Sequence, residues 1–173
     1  MDEVLIVDGY NIIGAWPELN ALKDTNLEEA RDRLIDTLAE YQSFSGIKVL
    51  LVFDAYQVPG LGRKYEMSKL AVYYTKEKET ADELIERLVF ELMGRRKRIS
   101  VATSDMIEQH VIFAKGALRL SSRELLQKVR QSQKELKTRI RSQSTRSRNN
   151  LDAKLSDEMK SILERWRRGD QDS

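Results

Sequence analysis

Three short apolar runs in this chain lead into an aspartate. Val4-Leu5-Ile6-Val7 runs into Asp8, Ile47 to Phe53 runs into Asp54, and Arg98 to Thr103 runs through Ser104 into Asp105. A fourth aspartate, Asp82, follows Thr80-Ala81 at the start of a stretch with helical periodicity. Carboxylates gathered within a few ångströms repel one another and need protons or a cation between them. The chain has no cysteine and a single histidine, His110, which excludes disulfides, thiolate zinc sites, cysteine nucleophiles and histidine-rich metal sites. A bound cation must then take hard oxygen ligands, which selects Mg²⁺ or Mn²⁺. Beside a phosphodiester, such an ion lowers the pKa of a bound water, orients it for in-line attack and stabilises the leaving oxygen. Hydrolysis then needs no nucleophilic side chain. Asp8, Asp54, Asp82 and Asp105 are accordingly the candidate metal ligands and catalytic acids.

Other polar residues stand near these four. Asn11, three positions after Asp8, could hold a water or a carboxylate, or cap the turn that leaves the strand. Thr103 and Ser104 could hydrogen-bond a carboxylate, although Ser104 also suits the N-cap of a helix over Met106 to about Lys115. Thr80 and Glu83 have capping-box spacing, which accounts for Glu83 but not for Asp82. His110 reads as structural or surface, with proton shuttling as its functional alternative. Tyr10 and Trp16 could stack on bases, and packing is the better reading of Trp16.

The elements that must carry these residues alternate between strand and helix. Continuous, largely β-branched apolar runs are the habit of strands buried on both faces of a parallel sheet. In open α/β sheets the ligand crevice lies at the carboxyl ends of such strands. Gly9-Tyr10-Asn11 reads as a turn, and Gly14, Trp16 and Pro17 predict an irregular segment. Asn26 caps a helix to about Phe44, which Ser45-Gly46 ends. Val58 to Lys69 reads as a mobile loop and Leu70 to Thr75 as a third strand. A helix follows Thr80, with Leu84, Leu88 and Leu92 as its buried stripe. Arg95 to Arg98 is a basic turn. Ala117 to Leu120 predicts a short fifth strand, and Ser121 or Ser122 opens a helix carrying Leu125, Leu126, Val129, Leu136 and Ile140. Residues 142–155, rich in Ser, Arg and Asn, read as a flexible linker. A short helix and tail complete the chain over 156–173.

Charge separates the two ends of the sequence. Residues 1–114 carry 14 Lys and Arg against 20 Asp and Glu, and residues 115–173 carry 16 against 8. An acidic front half and a basic back half suit a cation-holding site joined to a surface for a polyanion. Arg123, Lys128, Arg130, Lys134, Lys137, Arg139 and Arg141 are the candidate RNA-binding residues. The bland alternative is a solvated charged helix with no partner. No apolar run reaches membrane-spanning length, and the apolar first strand starts almost at once, so the expected compartment is the cytoplasm.

The ordered set Asp8-Gly9-Tyr10-Asn11, Phe53-Asp54-Ala55, Thr80-Ala81-Asp82 within Lys76 to Glu83, and Ala102-Thr103-Ser104-Asp105 resembles the NYN domain, a relative of PIN-type nucleases. Order and length are similar to its bacterial YacP-like branch, and Gly116-Ala117-Leu118-Arg119 and Arg165-Trp166-Arg167-Arg168-Gly169-Asp170 strengthen the match. The resemblance covers nearly the whole chain. It implies a three-layer α/β PIN-like fold with a central, mainly parallel sheet flanked by helices. That nuclease domain would span 1–141, including its basic last helix, ahead of a basic C-terminal helical extension. It further implies a Mg²⁺- or Mn²⁺-dependent endoribonuclease, associated with ribosomes and cutting mRNA in the ribosomal A site during translation. The family's acidic site falls on Asp8, Asp54, Asp82 and Asp105, with Asn11 in support. It does not fix whether Glu79 or Glu83 contributes. A non-catalytic RNA- or ribosome-binding protein is the alternative from another class. A Mg²⁺-dependent phosphatase is disfavoured because a small-molecule enzyme has little use for a basic arm.

Overall fold

The computed structural model describes residues 2–55, 64–67, 69–93, 97–104 and 116–169. The chain divides into two compact units, Met1–Ser132 and Gln133–Ser173.

The first unit is built on one sheet. Its strands are β1 (Asp2–Asp8), β2 (Lys48–Phe53), β3 (Lys64–Met67), β4 (Leu70–Tyr74), β5 (Lys97–Ala102) and β6 (Leu118–Leu120), in the order β3-β4-β2-β1-β5-β6. Five of them, β4, β2, β1, β5 and β6, run parallel, and β3 is an antiparallel edge. Both faces are covered, and this explains why the strands read as unbroken apolar runs. Val4 and Ile6 of β1, Leu50 and Val52 of β2, and Ile99 and Val101 of β5 pack under helix α4 (Ala81–Met93) with Leu84, Ile85, Leu88 and Val89. Leu5, Val7, Val49, Leu51 and Phe53 point the other way. They meet helices α1 (Gly9–Ala15), α2 (Pro17–Lys23) and α3 (Leu27–Ser45), together with Leu125 and Val129 at the start of helix α5 (Ser122–Gly169). The result is the expected three-layer α/β arrangement.

Several local expectations hold in detail. The Asn26 side chain accepts the Glu29 amide at 3.1 Å, and α3 ends at Gly46, whose φ of +74° is the left-handed stop that glycine supplies cheaply. Thr80 Oγ1 accepts the Glu83 amide at 3.2 Å, the threonine half of the capping box. Ser121 Oγ accepts the Glu124 amide at the head of α5.

Three expectations are corrected. The stretch after Asp8 is not an irregular turn but two short helices. Ile12 and Ile13 are wholly buried and fold Gly9–Ala15 onto the sheet, and Pro17 restarts the chain as the first residue of α2. Within the expected loop of 58–69, Lys64–Met67 forms β3, paired with β4 from Lys64↔Tyr73 to Met67↔Leu70. It is short and carries charge, as edge strands do, so it leaves little apolar periodicity to read. Residues 58–63, 68 and the basic turn at 95–96 lie outside the described residues. Finally, 142–155 is not a linker but part of one continuous helix through Gly169. No glycine or proline stands between Ala117 and Arg168. The Thr138 and Thr145 hydroxyls bond back to the carbonyls of Lys134 and Arg141, so these polar side chains are absorbed within the helix.

In the second unit, every described side chain from Lys137 onward is exposed, including Leu163 at 59% and Trp166 at 72%.

Candidate active site at the carboxyl rim of the sheet

The parallel register brings the strand ends that carry the expected site side by side. Asp8 is level with Val52 on β2, and Val7 is level with Ala102 on β5. Side chains alternate between the two faces along a strand. Val4 and Ile6 face α4, so Asp8 continues onto the α4 side. Leu50 and Val52 set the same side for Asp54, Ile99 and Val101 for Thr103, and Ala71 and Tyr73 for Thr75. Asp82 lies in the first turn of α4 itself. Asp8 and Asp54 therefore share one rim and one side of the sheet, and Asp82 stands exposed at the head of the helix that covers that side. Asp105, one residue beyond Ser104, lies outside the described residues, as does His110.

Polar atoms buried at this rim mark it as more than a strand end. Among the described residues only four polar side chains are buried, and three of them are here: Asp8 at 9%, Thr75 at 0% and Thr103 at 1% exposed. Burying such groups is costly unless each is hydrogen-bonded. Thr75 Oγ1 accepts the Ala55 amide at 2.8 Å and donates to Asp54 Oδ1 at 3.4 Å. Thr75 was missed in the sequence because it reads as the last β-branched residue of an apolar strand. Its signal was only that a threonine replaces a hydrocarbon where the strand reaches the rim.

Asn11 has a specific partner. Its Oδ1 accepts both the backbone N–H and the hydroxyl of Ser104, each at 2.7 Å. Of the open readings for Asn11, the observed role is a bridge from α1 to the end of β5, directly ahead of Asp105. The Ser104 hydroxyl is thereby engaged with Asn11. Glu79, whose role was open, is ion-paired with Arg87 at 3.2 Å. The Tyr10 ring packs on Phe53 with centroids 5.0 Å apart, and its hydroxyl accepts from Arg31 at 3.1 Å. Trp16 is buried, and its indole N–H donates to the Ser122 carbonyl at 2.9 Å, a packing role. Gly9 is fixed by space. A Cβ there would run into the Phe53 ring and stand 2.9 Å from the Val52 carbonyl oxygen. This close approach lets α1 start directly on Asp8.

Aspartate carboxylates are the donors that a hard divalent cation takes. Among the described residues, no three acidic or histidine side chains stand close enough to hold a metal ion between them. Mg²⁺ commonly uses one or two carboxylates and completes its shell with water, so the open arrangement of Asp8, Asp54 and Asp82 remains compatible with it.

The seven basic candidates all fall on α5 and are all exposed. Arg123, Lys128 and Arg130 belong to the first unit, where Lys128 borders a cavity of about 180 Å³ with Glu3, Tyr41 and Arg98. In the second unit Lys134, Lys137 and Arg141, with Arg148, fall within about 60° of one another around the helix axis at 3.6 residues per turn. Arg139 lies on another side of the helix.

A mainly parallel sheet between two helical layers, with aspartates at its carboxyl rim, is the arrangement of the PIN-like fold. Comparison with known proteins gives the family. The YacP-like NYN domain family matches residues 5–168. YacP of Bacillus subtilis (strain 168), described as uncharacterized, is 48% identical over 170 residues, covering 98% of this chain and 99% of its own. The crystal structure of Rae1 (YacP) from Bacillus subtilis superposes with a TM-score of 0.75, covering 100% of this chain and 98% of that one at 48% identity. A tryptophan-to-leucine mutant of that protein superposes with a TM-score of 0.72 over 84% of this chain and 85% of its own, also at 48% identity. The chain belongs to the YacP-like NYN domain family.

Proposed function

We propose that this protein is a metal-dependent endoribonuclease that hydrolyses RNA phosphodiester bonds, works on the ribosome and cuts mRNA in the A site during translation in the cytoplasm. The observation that supports the reading is Asp8 and Asp54 at neighbouring strand ends on the carboxyl rim, beside the buried hydroxyl of Thr75, with Asp82 in the first turn of α4. Asp8, Asp54, Asp82 and Asp105 would hold Mg²⁺ or Mn²⁺, which supplies an activated water and stabilises the leaving oxygen. The chain's own residues do the rest. Asn11 holds the end of β5 against α1 through Ser104. Burial of Asp8 limits its motion. The basic stripe of α5 attracts the phosphate backbone without reading sequence.

Wild type and Asp8→Asn are compared on one mRNA, translated and untranslated, with new 5′ ends mapped. Wild type is expected to create ends on the translated message only, and Asp8→Asn to create none while folding normally. Equal cleavage by Asp8→Asn would refute the assignment. A second reading, favoured by the exposed basic stripe, is a non-catalytic RNA- or ribosome-binding protein. It would show salt-sensitive association with the ribosome and no new ends from either protein.

A further inference from the structure

We propose that Thr75 is the positioning residue for Asp54, fixing that carboxylate for cation binding. The inference rests on the metal-site reading above and adds a residue that does not itself touch the cation. Thr75 is wholly buried, so its hydroxyl is removed from water and must find its partners in the protein. Both of its side-chain hydrogen bonds go to one short segment. Oγ1 accepts the Ala55 amide at 2.8 Å and donates to Asp54 Oδ1 at 3.4 Å. The Thr75 backbone N–H adds a third bond, to the Phe53 carbonyl at 3.1 Å.

These three contacts carry the pairing of β2 with β4 past the last strand residues, Phe53 and Tyr74. Asp54 lies beyond the end of β2 and is only partly buried, so the ladder alone does not fix its side chain. The hydroxyl grips Asp54 at the carboxylate and Ala55 at the backbone, on either side of its Cα. A valine would fill the same space and suit the strand equally well. The hydroxyl is thus explained by what it holds rather than by packing. Hydrogen bonds from outside the ligand shell orient ligating carboxylates, and losing one commonly weakens metal affinity.

The test uses the full chain as wild type, Thr75→Val, Thr75→Ser, Asp54→Asn and the Thr75→Val/Asp54→Asn double variant. Two quantities are measured: Mn²⁺ affinity by calorimetric titration, and exchange of the Ala55 amide by NMR without metal, with circular dichroism as the control for folding. Thr75→Val is expected to weaken Mn²⁺ binding by about tenfold, the lower range for an outer-shell partner. Thr75→Ser is expected to stay within about twofold of wild type. Thr75→Val should add almost nothing when Asp54 is already Asn, since the hydroxyl acts through that carboxylate. The Ala55 amide should exchange at least about tenfold faster in Thr75→Val, because its acceptor is gone. Wild-type Mn²⁺ affinity in Thr75→Val, or an equal loss in both backgrounds, overturns the proposal. If wild type binds no Mn²⁺, the metal reading fails and with it this role for Thr75. The amide measurement then shows separately whether the contact itself exists.

Discussion

The two units of this chain use side chains in opposite ways. In the first, Leu34, Leu51, Phe53 and Ile85 are fully enclosed, and the apolar residues of each strand divide between two helical layers. In the second, Ile140, Leu151, Met159, Ile162 and Trp166 stand in solvent alongside the basic residues. Enclosure fixes side chains against a rigid sheet, which is what a site sensitive to ångström errors requires. A solvated basic helix offers charge over a length, which is what a phosphate backbone requires. Asp8 lies in the first environment with Asp54 half-buried, and Lys134, Lys137, Arg141 and Arg148 lie in the second.

The sharpest contrast between the units is in stability. Leu34→Ala, in the core, should lower unfolding free energy by about 2–5 kcal/mol, the range for a buried leucine. Leu163→Ala, 59% exposed, should change it by less than about 0.5 kcal/mol. Urea unfolding followed by circular dichroism measures both, and equal losses would mean that the second unit buries its apolar residues after all.

Gly9→Ala comes next, at about 1–3 kcal/mol for overpacking, because the added methyl meets both the Phe53 ring and a backbone oxygen. Gly14→Ala serves as its control. Only Lys23 Nζ, at 3.9 Å, is near, and removing a helical glycine should be neutral or stabilising by about 0.5–1 kcal/mol. The same unfolding measurement separates them.

Replacing Lys134, Lys137, Arg141 and Arg148 together with glutamine should leave the unfolding midpoint of the first unit unchanged. The slope of log affinity for single-stranded RNA against log salt should fall by up to about 3, from roughly 0.7 per phosphate contact. Binding isotherms between 50 and 300 mM salt, roughly the range in which counterion release is read, measure it.

The smallest effect concerns the far end of the sheet. Burial, and secondarily the Glu3 carboxylate, raise the Tyr41 hydroxyl above the ordinary tyrosine range. A raised folded-state value favours the protonated phenol. The contribution is complete below the unfolded value of about 10 and is lost as pH rises through the folded value. Urea midpoints taken from pH 8 to 11 should fall at the alkaline end for wild type and fall less for Tyr41→Phe.

The parallel sheet and its acid-bearing ends were legible because a strand buried on both faces writes an unbroken apolar run, and a carboxylate at its end stands out. Asp8 and Asp54 stand out for that reason, and Asp82 by its place in the first turn of the helix that follows Thr80. What was not legible follows from the same physics. Ile12 and Ile13 cover too few turns to show helical periodicity, so α1 read as a turn. The edge strand Lys64–Met67 is too short and polar to announce itself. The helix through 142–155 lacks an apolar stripe, so its composition suggested a linker, although the absence of glycine and proline was there to see. Thr75 and the Asn11–Ser104 bridge depend on residues 21 and 93 positions apart meeting in space, which no local pattern encodes.

On the proposed function, cutting belongs to the first unit and the basic stripe of the second supplies the grip. The direct test is to measure binding and single-turnover cleavage of ribosome-bound mRNA for Asp8→Asn and for the four-residue basic variant, beside wild type. Asp8→Asn should bind as wild type and lose cleavage by on the order of 10²–10³-fold, the scale for one electrostatic stabiliser. The basic variant should bind weakly and still cleave at saturating concentration. Cleavage by Asp8→Asn at the wild-type rate would contradict the account at its centre.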